Sequence, residues 1–426
     1  MRLRSGVCGA GVVAAAAMAA VTFSYQANAG GLAVREQSAQ FQGLSFAGAA
    51  AGGGLSSSFW NSAAIGEIGN GTFSESHAAA IFGQTDYQTV TGTGFTAAPA
   101  AFPSIAPGDA DTNDRPALVS SSYFAHRMND NLVFGLAVSA PFGLSNELDD
   151  PAGAYRMHHR SAKLFTLNLN PMVSYKVMPG LMIGVGVQAQ YASLSFKTAS
   201  APAPLTAPNA VLDGDDVGFG FTAGILFQPS QATSIGIGYR SAIAHSIRGE
   251  QLVVGTPPNG FALDVDTPDM VTVSLRQQVT NNLRVLGTVE WTNWDRLDVH
   301  PIIVGGAPIG AFDFQWDDGW FFSGGIEYDV SKQLTVRGGV AYEISPIDSP
   351  TQRLPQVPDS DRIWLSFGAT YNWSETMSFD IGYTHVFFDD ARLDRLPAAA
   401  AASGFRLVAD TESSADIVAA SVKMKW

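Results

Sequence analysis

The chain has 426 residues, 46% of them hydrophobic and only 15% charged, with a formal net charge of −14 at pH 7. An ordinary soluble protein carries closer to a quarter charged residues, and a nucleic-acid binder needs a basic stripe that this acidic balance denies. The single cysteine, Cys8, stands in a leader segment, so disulfides, thiolate metal sites and cysteine nucleophiles are excluded from the mature chain.

Residues 1–29 read as a secretory signal. Arg2 and Arg4 supply the positive start, Val7 to Val21 the small apolar run, and Ala27-Asn28-Ala29 the A-x-A cleavage pattern. Loss of those two arginines moves the net charge from −14 to −16. No other stretch offers eighteen consecutive apolar residues, so no membrane-spanning helix is expected.

Residues 30–70 show no strand-length alternation. Glycine, alanine and serine dominate, as in Gly48-Ala49-Ala50-Ala51-Gly52-Gly53-Gly54. Phe41, Leu44, Phe46, Phe59 and Trp60 have little to gain in a solvated tail. The segment is expected to fold as a plug, or hatch, inside a larger structure.

Residues 71–426 alternate in period two. In Leu181–Tyr191, bulky Ile183, Val185, Val187 and Tyr191 stand on one face, and Gly184, Gly186, Gln188 and Gln190 on the other. Trp320–Val330 and Leu334–Ile344 repeat the pattern. Six short connections (Arg127–Asn131, Met178–Gly180, Pro229–Gln231, Thr280–Asn282, Ser331–Gln333 and Ser374–Thr376) alternate with seven long ones, such as Gly92–Arg115, Lys197–Asp215 and Asp389–Glu412. Tight turns at one end and long loops at the other mark an outer-membrane barrel. Thirteen connections join fourteen strands, so the expected fold is an all-β, fourteen-stranded antiparallel transmembrane barrel with a small N-terminal hatch in its lumen.

In such a barrel Glu290, Glu327, Arg337, Glu343 and Asp380 belong on the polar lumen side. Aromatic girdles are expected from Trp373 and Trp426 near the short turns, and from Trp291, Trp294, Trp316 and Trp320 near the long loops. Val422, Met424 and the terminal Trp426 share the lipid face; a last strand ending on an aromatic residue suits recognition by the outer-membrane barrel assembly machinery.

Catalytic chemistry finds little support. There is no G-x-S-x-G elbow, His385 shares a face with Phe379, Ile381 and Phe387, and His158-His159 lacks an ordered third ligand. No enzyme activity, metal or cofactor is expected.

Several segments resemble the FadL family of outer-membrane transporters of long-chain fatty acids and other hydrophobic compounds. Glu36-Gln37-Ser38, Gly43 and Ala47-Gly48 are similar to its hatch, and Ala140-Pro141-Phe142-Gly143-Leu144 to its P-F-G-L stretch. Leu167-Asn168-Leu169-Asn170-Pro171, Tyr239-Arg240-Ser241 and Trp291-Thr292-Asn293-Trp294 follow in order, then Pro358-Asp359-Ser360-Asp361-Arg362-Ile363-Trp364. The resemblance implies passive uptake of a hydrophobic ligand, held inside the barrel and released sideways into the membrane lipid where strand 3 kinks at Pro141, Phe142 and Gly143. Proline cannot donate to the ladder and glycine favours bulges, which gives the kink a local cause. The resemblance also places Phe41, Phe46, Phe59, Trp60, Asn61 and Ser62 in the hatch and ligand channel. A carboxylate ligand would need a cation, and Lys163, Arg240 and Arg337 are the candidates. Two positions depart from the family pattern. Ser62 stands where its N-P-A motif has proline, and Asp317, in Trp316-Asp317-Asp318, stands where a basic residue is usual. The second departure raises neutral or aromatic hydrocarbons as alternatives to fatty acids; a general porin is a further alternative.

Overall fold

The computed structural model describes residues 31–90, 94–95, 109–112, 116–148, 155, 158–200, 208–396 and 405–426. The expected leader of residues 1–29 lies outside them. Fourteen antiparallel strands form a closed barrel. In chain order they are β1 (Thr72–Thr89), β2 (Ala117–Arg127), β3 (Leu132–Ser139, resumed at Gly143–Glu147), β4 (Ser161–Met178), β5 (Leu181–Ala199) and β6 (Asn209–Ser230). Next come β7 (Thr233–Arg240 and Ile243–Val253), β8 (Asn259–Thr267 and Met270–Gln278), β9 (Leu283–Thr292) and β10 (Gly319–Asp329). The last four are β11 (Leu334–Ile344), β12 (Arg362–Asn372), β13 (Met377–Phe388) and β14 (Phe405–Lys425). Short turns fall at residues 128–131, 179–180, 231–232, 279–282, 330–333 and 373–376, all at one end.

β1 pairs with β14 from Phe73↔Lys425 to Thr89↔Ala409. That long seam leaves no free sheet edge at the closure, which a strand structure in lipid requires. Alternation sorts the faces: on β5, Ile183, Val185 and Val187 are 45%, 57% and 59% exposed, while Gly184, Gly186 and Gln188 are buried. Glu290, Glu327, Arg337, Glu343 and Asp380 all point inward and are buried. On the outside, Trp320, Trp373 and Trp426 are exposed at the strand ends.

Trp294 and Trp316 correct the expected girdle. After β9 the chain turns through a 3-10 segment, Trp294–Arg296, which folds the indole beneath the external loops. Trp316 meets it edge-on with ring centroids 5.5 Å apart, and both are buried. These two indoles belong to the interior.

The interior is filled by residues 31–67, nearly all buried. This segment contains one short helix, α1 (Ala39–Gln42), and two 3-10 turns, Leu55–Phe59 and Ser62–Glu67. α1 is capped by Ser38, whose hydroxyl accepts from Phe41 N at 3.2 Å. Inward-facing hydroxyls of the wall bind the segment's backbone: Gly48 N donates to Thr288 Oγ1 at 2.9 Å and Ala50 N to Ser274 Oγ at 3.0 Å. Elsewhere backbone meets backbone. A Cβ on Gly238 would lie 1.7 Å from the Trp60 carbonyl oxygen, and one on Gly184 would lie 2.3 Å from Ala63 N. Only glycine lets the wall come that close.

The seam itself holds the segment. Glu75 on β1 accepts from Ser56 N at 3.0 Å and Ser56 Oγ at 2.8 Å, and Lys423 on β14 donates to the side-chain oxygen of Gln40. Glu75 and Lys423 lie 4.0 Å apart across the seam.

Candidate functional site

β3 is interrupted over Ala140, Pro141 and Phe142. Its first half pairs with β2 and β4, up to Ser122↔Val138 and Ser139↔Asn168. Its second half resumes on β4 at Gly143↔Phe165, one residue out of step, and has no register with β2. Thr166 bridges the bulge by accepting from Phe142 N at 3.0 Å and donating back to Phe142 O. Meanwhile Ala117–Ser121 of β2 pair with β1 alone. The ladder between β2 and β3 therefore parts above Ser122 and Val138.

The N-terminal strap, residues 31–37, closes this slit. Ala33 stands opposite Phe142 in an antiparallel bridge, with Val34 N donating to Pro141 O and Gly143 N to Leu32 O, each at 2.9 Å. Gln37 spans both lips from inside. Its carbonyl accepts from Ser121 Oγ at 2.8 Å and Tyr123 OH at 2.9 Å on β2, and its side-chain amide donates to Ala140 O at 2.8 Å on β3. Gln37 is fully buried, so none of these bonds competes with bulk water.

Beside the strap lies a buried ionic cluster. Arg35 reaches Glu290 on β9 at 2.5 Å and Glu343 on β11 at 3.0 Å, with its guanidinium 4.0 Å above the Phe321 ring. Glu343 also meets Arg362 of β12 at 3.5 Å and accepts from Trp364 Nε1 at 3.1 Å. Arg362 pairs in turn with Asp359, which accepts from Gly31 N at 3.2 Å.

Behind the slit is an apolar cavity of about 40 Å³, lined by Leu32, Phe142, Leu164, Ile247, Trp294 and Leu297 among others. It opens into an aromatic chain: Phe142 to Trp294 at 6.1 Å, Trp294 to Trp316 at 5.5 Å, and Trp316 to Phe314 at 5.1 Å, all edge-to-face. The break between the two halves of β8 shapes its floor. Asp269 there gathers Tyr239 OH at 2.6 Å, Ala242 N at 3.0 Å and Arg296 Nε at 2.6 Å.

The residues singled out in the sequence fall in three groups. Phe41, Phe46, Phe59 and Trp60 come together as one aromatic core, with Trp60 5.7, 5.9 and 5.0 Å from the other three rings. Phe46 also meets Phe321 and Trp364 of the wall. Asn61 caps the turn at Ser62–Glu67, accepting from Ala63 N at 3.0 Å while donating to Ala50 O at 2.8 Å and Ile225 O at 2.9 Å. Ser62 is the first residue of that turn, the position where proline is best tolerated. The turn therefore forms with serine in that place.

Among the cations, Arg240 is buried in the lumen. Its donors go to the Gln188 side-chain oxygen and to Phe59 O at 3.2 Å, and it lies 4.4 Å over the Phe59 ring. Arg337 is committed to Glu327 at 3.3 Å and Asp380 at 3.6 Å. Lys163 is a correction: it shares the outward face of β4 with Phe165, Leu167 and exposed Leu169, whereas its neighbour Leu164 lines the cavity. Asp317 is exposed to solvent at the loops rather than in the lumen, and partial desolvation, then Asp348, raises its carboxyl. His159 is fully buried and bonded to Asn146 at 3.2 Å, and burial pushes its imidazole down to about 3. His385 faces outward with Asp416 at 2.8 Å. Among the described residues no cluster of metal-ligating side chains forms.

Reasoning from sequence did not single out Gln37, Ser121, Tyr123, Glu36, Trp294 or Leu32 as site residues. The local signals were the motifs Glu36-Gln37-Ser38 and Trp291-Thr292-Asn293-Trp294.

Comparison with known proteins bears on the family and the fold. Residues 20–426 match the model of the family described as outer membrane protein transport protein (OMPP1/FadL/TodX). Outer membrane protein P1 of Haemophilus influenzae is 28% identical over 308 residues, covering 63% of this chain and 66% of that protein, so the chain spans just under two thirds of that relative's length. The long-chain fatty acid transport protein of Escherichia coli O6:H1 is 25% identical over 329 residues, covering 67% and 73%. In three dimensions the chain is similar to the crystal structure of a Pseudomonas aeruginosa FadL homologue, with TM-score 0.82, 20% identity, and 93% and 99% of the two chains covered. It is also similar to the Ralstonia pickettii toluene transporter TbuX, with TM-score 0.64, 17% identity, and 92% and 99% covered. The chain belongs to the OMPP1/FadL/TodX family of outer-membrane transport proteins.

Proposed function

We propose that this protein takes hydrophobic small molecules, long-chain fatty acids first among them, passively across the outer membrane. The ligand binds inside the barrel and leaves sideways through the slit between β2 and β3. One observation carries the reading: the slit is closed by the chain's own strap through separable hydrogen bonds, where a continuous wall would have strand pairing. A tail gains about 0.8 kcal/mol per buried methylene in an apolar chamber, and a sideways exit into lipid spares it a return to water. In the closed state the cavity of about 40 Å³ has room for little more than a water molecule. Leu32 lines it, so withdrawing the strap enlarges the chamber and frees the slit together.

The lumen is filled by residues 31–67, which disfavours a general aqueous porin. Arg240, whose donors meet an amide and a carbonyl rather than a carboxylate, is the cation best placed for a fatty acid head group. The aromatic chain from Phe142 to Phe314 supports a second reading, uptake of neutral aromatic hydrocarbons by the same route. A relative solved in three dimensions is named a toluene transporter.

The strap supplies the test. Ala33 and Phe142 form a non-hydrogen-bonded antiparallel pair, whose Cα atoms lie about 4.5 Å apart, within the range a disulfide spans. In the double variant Ala33→Cys/Phe142→Cys, uptake of labelled oleate and toluene should stop when the pair is oxidised and return on reduction. Each single variant should ignore the oxidant. Uptake by the oxidised double variant equal to the reduced one would refute lateral exit.

A further inference from the structure

Glu36 stands in the middle of the strap, between Arg35 and Gln37, and its side chain is buried. Beyond its own backbone N–H, neither carboxylate oxygen has a hydrogen-bond partner among the described residues. A buried carboxylate without donors is costly, and burial outweighs the nearby arginines. The charged groups that act on it are Arg35 of the strap, Glu343 of β11 and Arg362 of β12; Glu290 of β9 and Asp359 of the loop before β12 lie beyond them, faced also by Arg240 and Arg353. Arg35 pairs with Glu290 and Glu343, and Arg362 with Glu343 and Asp359; neither guanidinium donates a hydrogen bond to Glu36. An ionised Glu36 would stand desolvated and without a donor, near the Glu343 carboxylate, inside a low-dielectric site.

We propose that closure of the slit is proton-coupled: the strap docks with Glu36 protonated, and ionisation of this one carboxyl loosens the strap. The proposal rests on the lateral-exit reading for its consequence in transport, but the coupling is a property of the strap alone. Burial is the largest influence and holds the docked carboxyl up at about 7, against an ordinary value of 4.5. Docking is therefore at full strength below about 4.5. It weakens as the pH rises and an undocked strap gains its charge, and it levels off above about 7, where the docked form ionises too. Gln37, next in sequence, holds both lips of the slit, so whatever loosens Glu36 acts directly on the closing contacts. A cell in alkaline surroundings would have the readier exit.

Hydrogen exchange on the full mature protein in lipid nanodiscs, read by mass spectrometry with no substrate present, tests the coupling. The reporter is the strap, whose Val34 N–H is bonded to Pro141 O. After correction for the intrinsic pH dependence of exchange, strap protection should fall on the order of a hundredfold between pH 4.5 and 7.5. In Glu36→Gln, which keeps the shape and removes the charge, protection should be high and flat. Asp359→Asn should keep the wild-type fall. A flat wild-type profile, or an undiminished fall in Glu36→Gln, would overturn the proposal; so would a fall abolished only by Asp359→Asn. Retention of the folded band on an unheated gel confirms that each variant is assembled. A strap that titrates while the disulfide staple leaves uptake untouched sinks lateral exit alone. A strap blind to pH with staple-sensitive uptake sinks the proton coupling alone.

Discussion

The Tyr123 hydroxyl donates to the Gln37 carbonyl at 2.9 Å, from a strand of the wall to a segment that is no part of it. Ser121, two residues along the same face of β2, donates to the same oxygen at 2.8 Å. One carbonyl thus gathers two donors on one lip of the slit while the Gln37 side chain holds the other.

This arrangement predicts a graded loosening. Tyr123→Phe removes one buried bond, about 1 kcal/mol, or several-fold in strap opening. Gln37→Ala removes the amide's bonds to Ala140 and to Val34 O and should raise opening by an order of magnitude or more. Exchange of the Val34 N–H measures both. Equal exchange in wild type and Gln37→Ala would mean the strap is held elsewhere.

Seating of the interior segment should be separable from barrel assembly. Gly238→Val places atoms where the Trp60 carbonyl now lies, and overpacking of this kind costs about 1–3 kcal/mol or more. The barrel should still insert and migrate as a folded band, while ion conductance in planar bilayers rises from near zero. A folded variant with unchanged conductance would show that the segment yields without leaving.

Ligand class can be read at Arg240. Arg240→Met keeps much of the side-chain bulk and removes the charge. Oleate uptake should fall several-fold while toluene uptake stays within a factor of two. Parallel loss of both would assign Arg240 to holding Phe59 in place rather than to a head group.

Glu343 ties three neighbours together: Arg35, Arg362 and the Trp364 indole. Glu343→Ala leaves two buried guanidiniums short of a partner and should destabilise the closed interior by about 3–5 kcal/mol. Glu343→Gln, which keeps an acceptor, should cost less. The temperature at which the folded band disappears on a gel gives the order; a wild-type midpoint in Glu343→Ala would count against the cluster as a structural tie.

The barrel was legible because its signals are local and repeated. Short turns such as Met178–Gly180 punctuate strands whose outward Ile183, Val185 and Val187 alternate with glycine. The break in β3 was legible at Pro141 and Gly143, where the ladder loses a donor and gains a pivot. What resists reading is contact between segments far apart in sequence. Gln37 looks like any surface glutamine until Ser121, Tyr123 and Ala140 surround it. Trp294 and Trp316 read as girdle residues by position; a three-residue turn after β9 brings Trp294 inside, and Trp316, distant in sequence, packs against it. Lys163 misled for a different reason: side chains alternate along a strand, and one residue decides between lumen and lipid.

The seam between β1 and β14 has a consequence for biogenesis. Glu75 and Lys423 sit on opposite sides of the closure, and each holds a different part of the interior segment, Ser56 and Gln40. Only the correct register brings both anchors to the same socket. A seam slipped by two residues would part them by about 7 Å, since each residue advances a strand by roughly 3.4 Å. Such a barrel would close with its stopper unfastened. Final closure and proofreading of the register are then a single event, and a wrongly zipped molecule betrays itself by leaking.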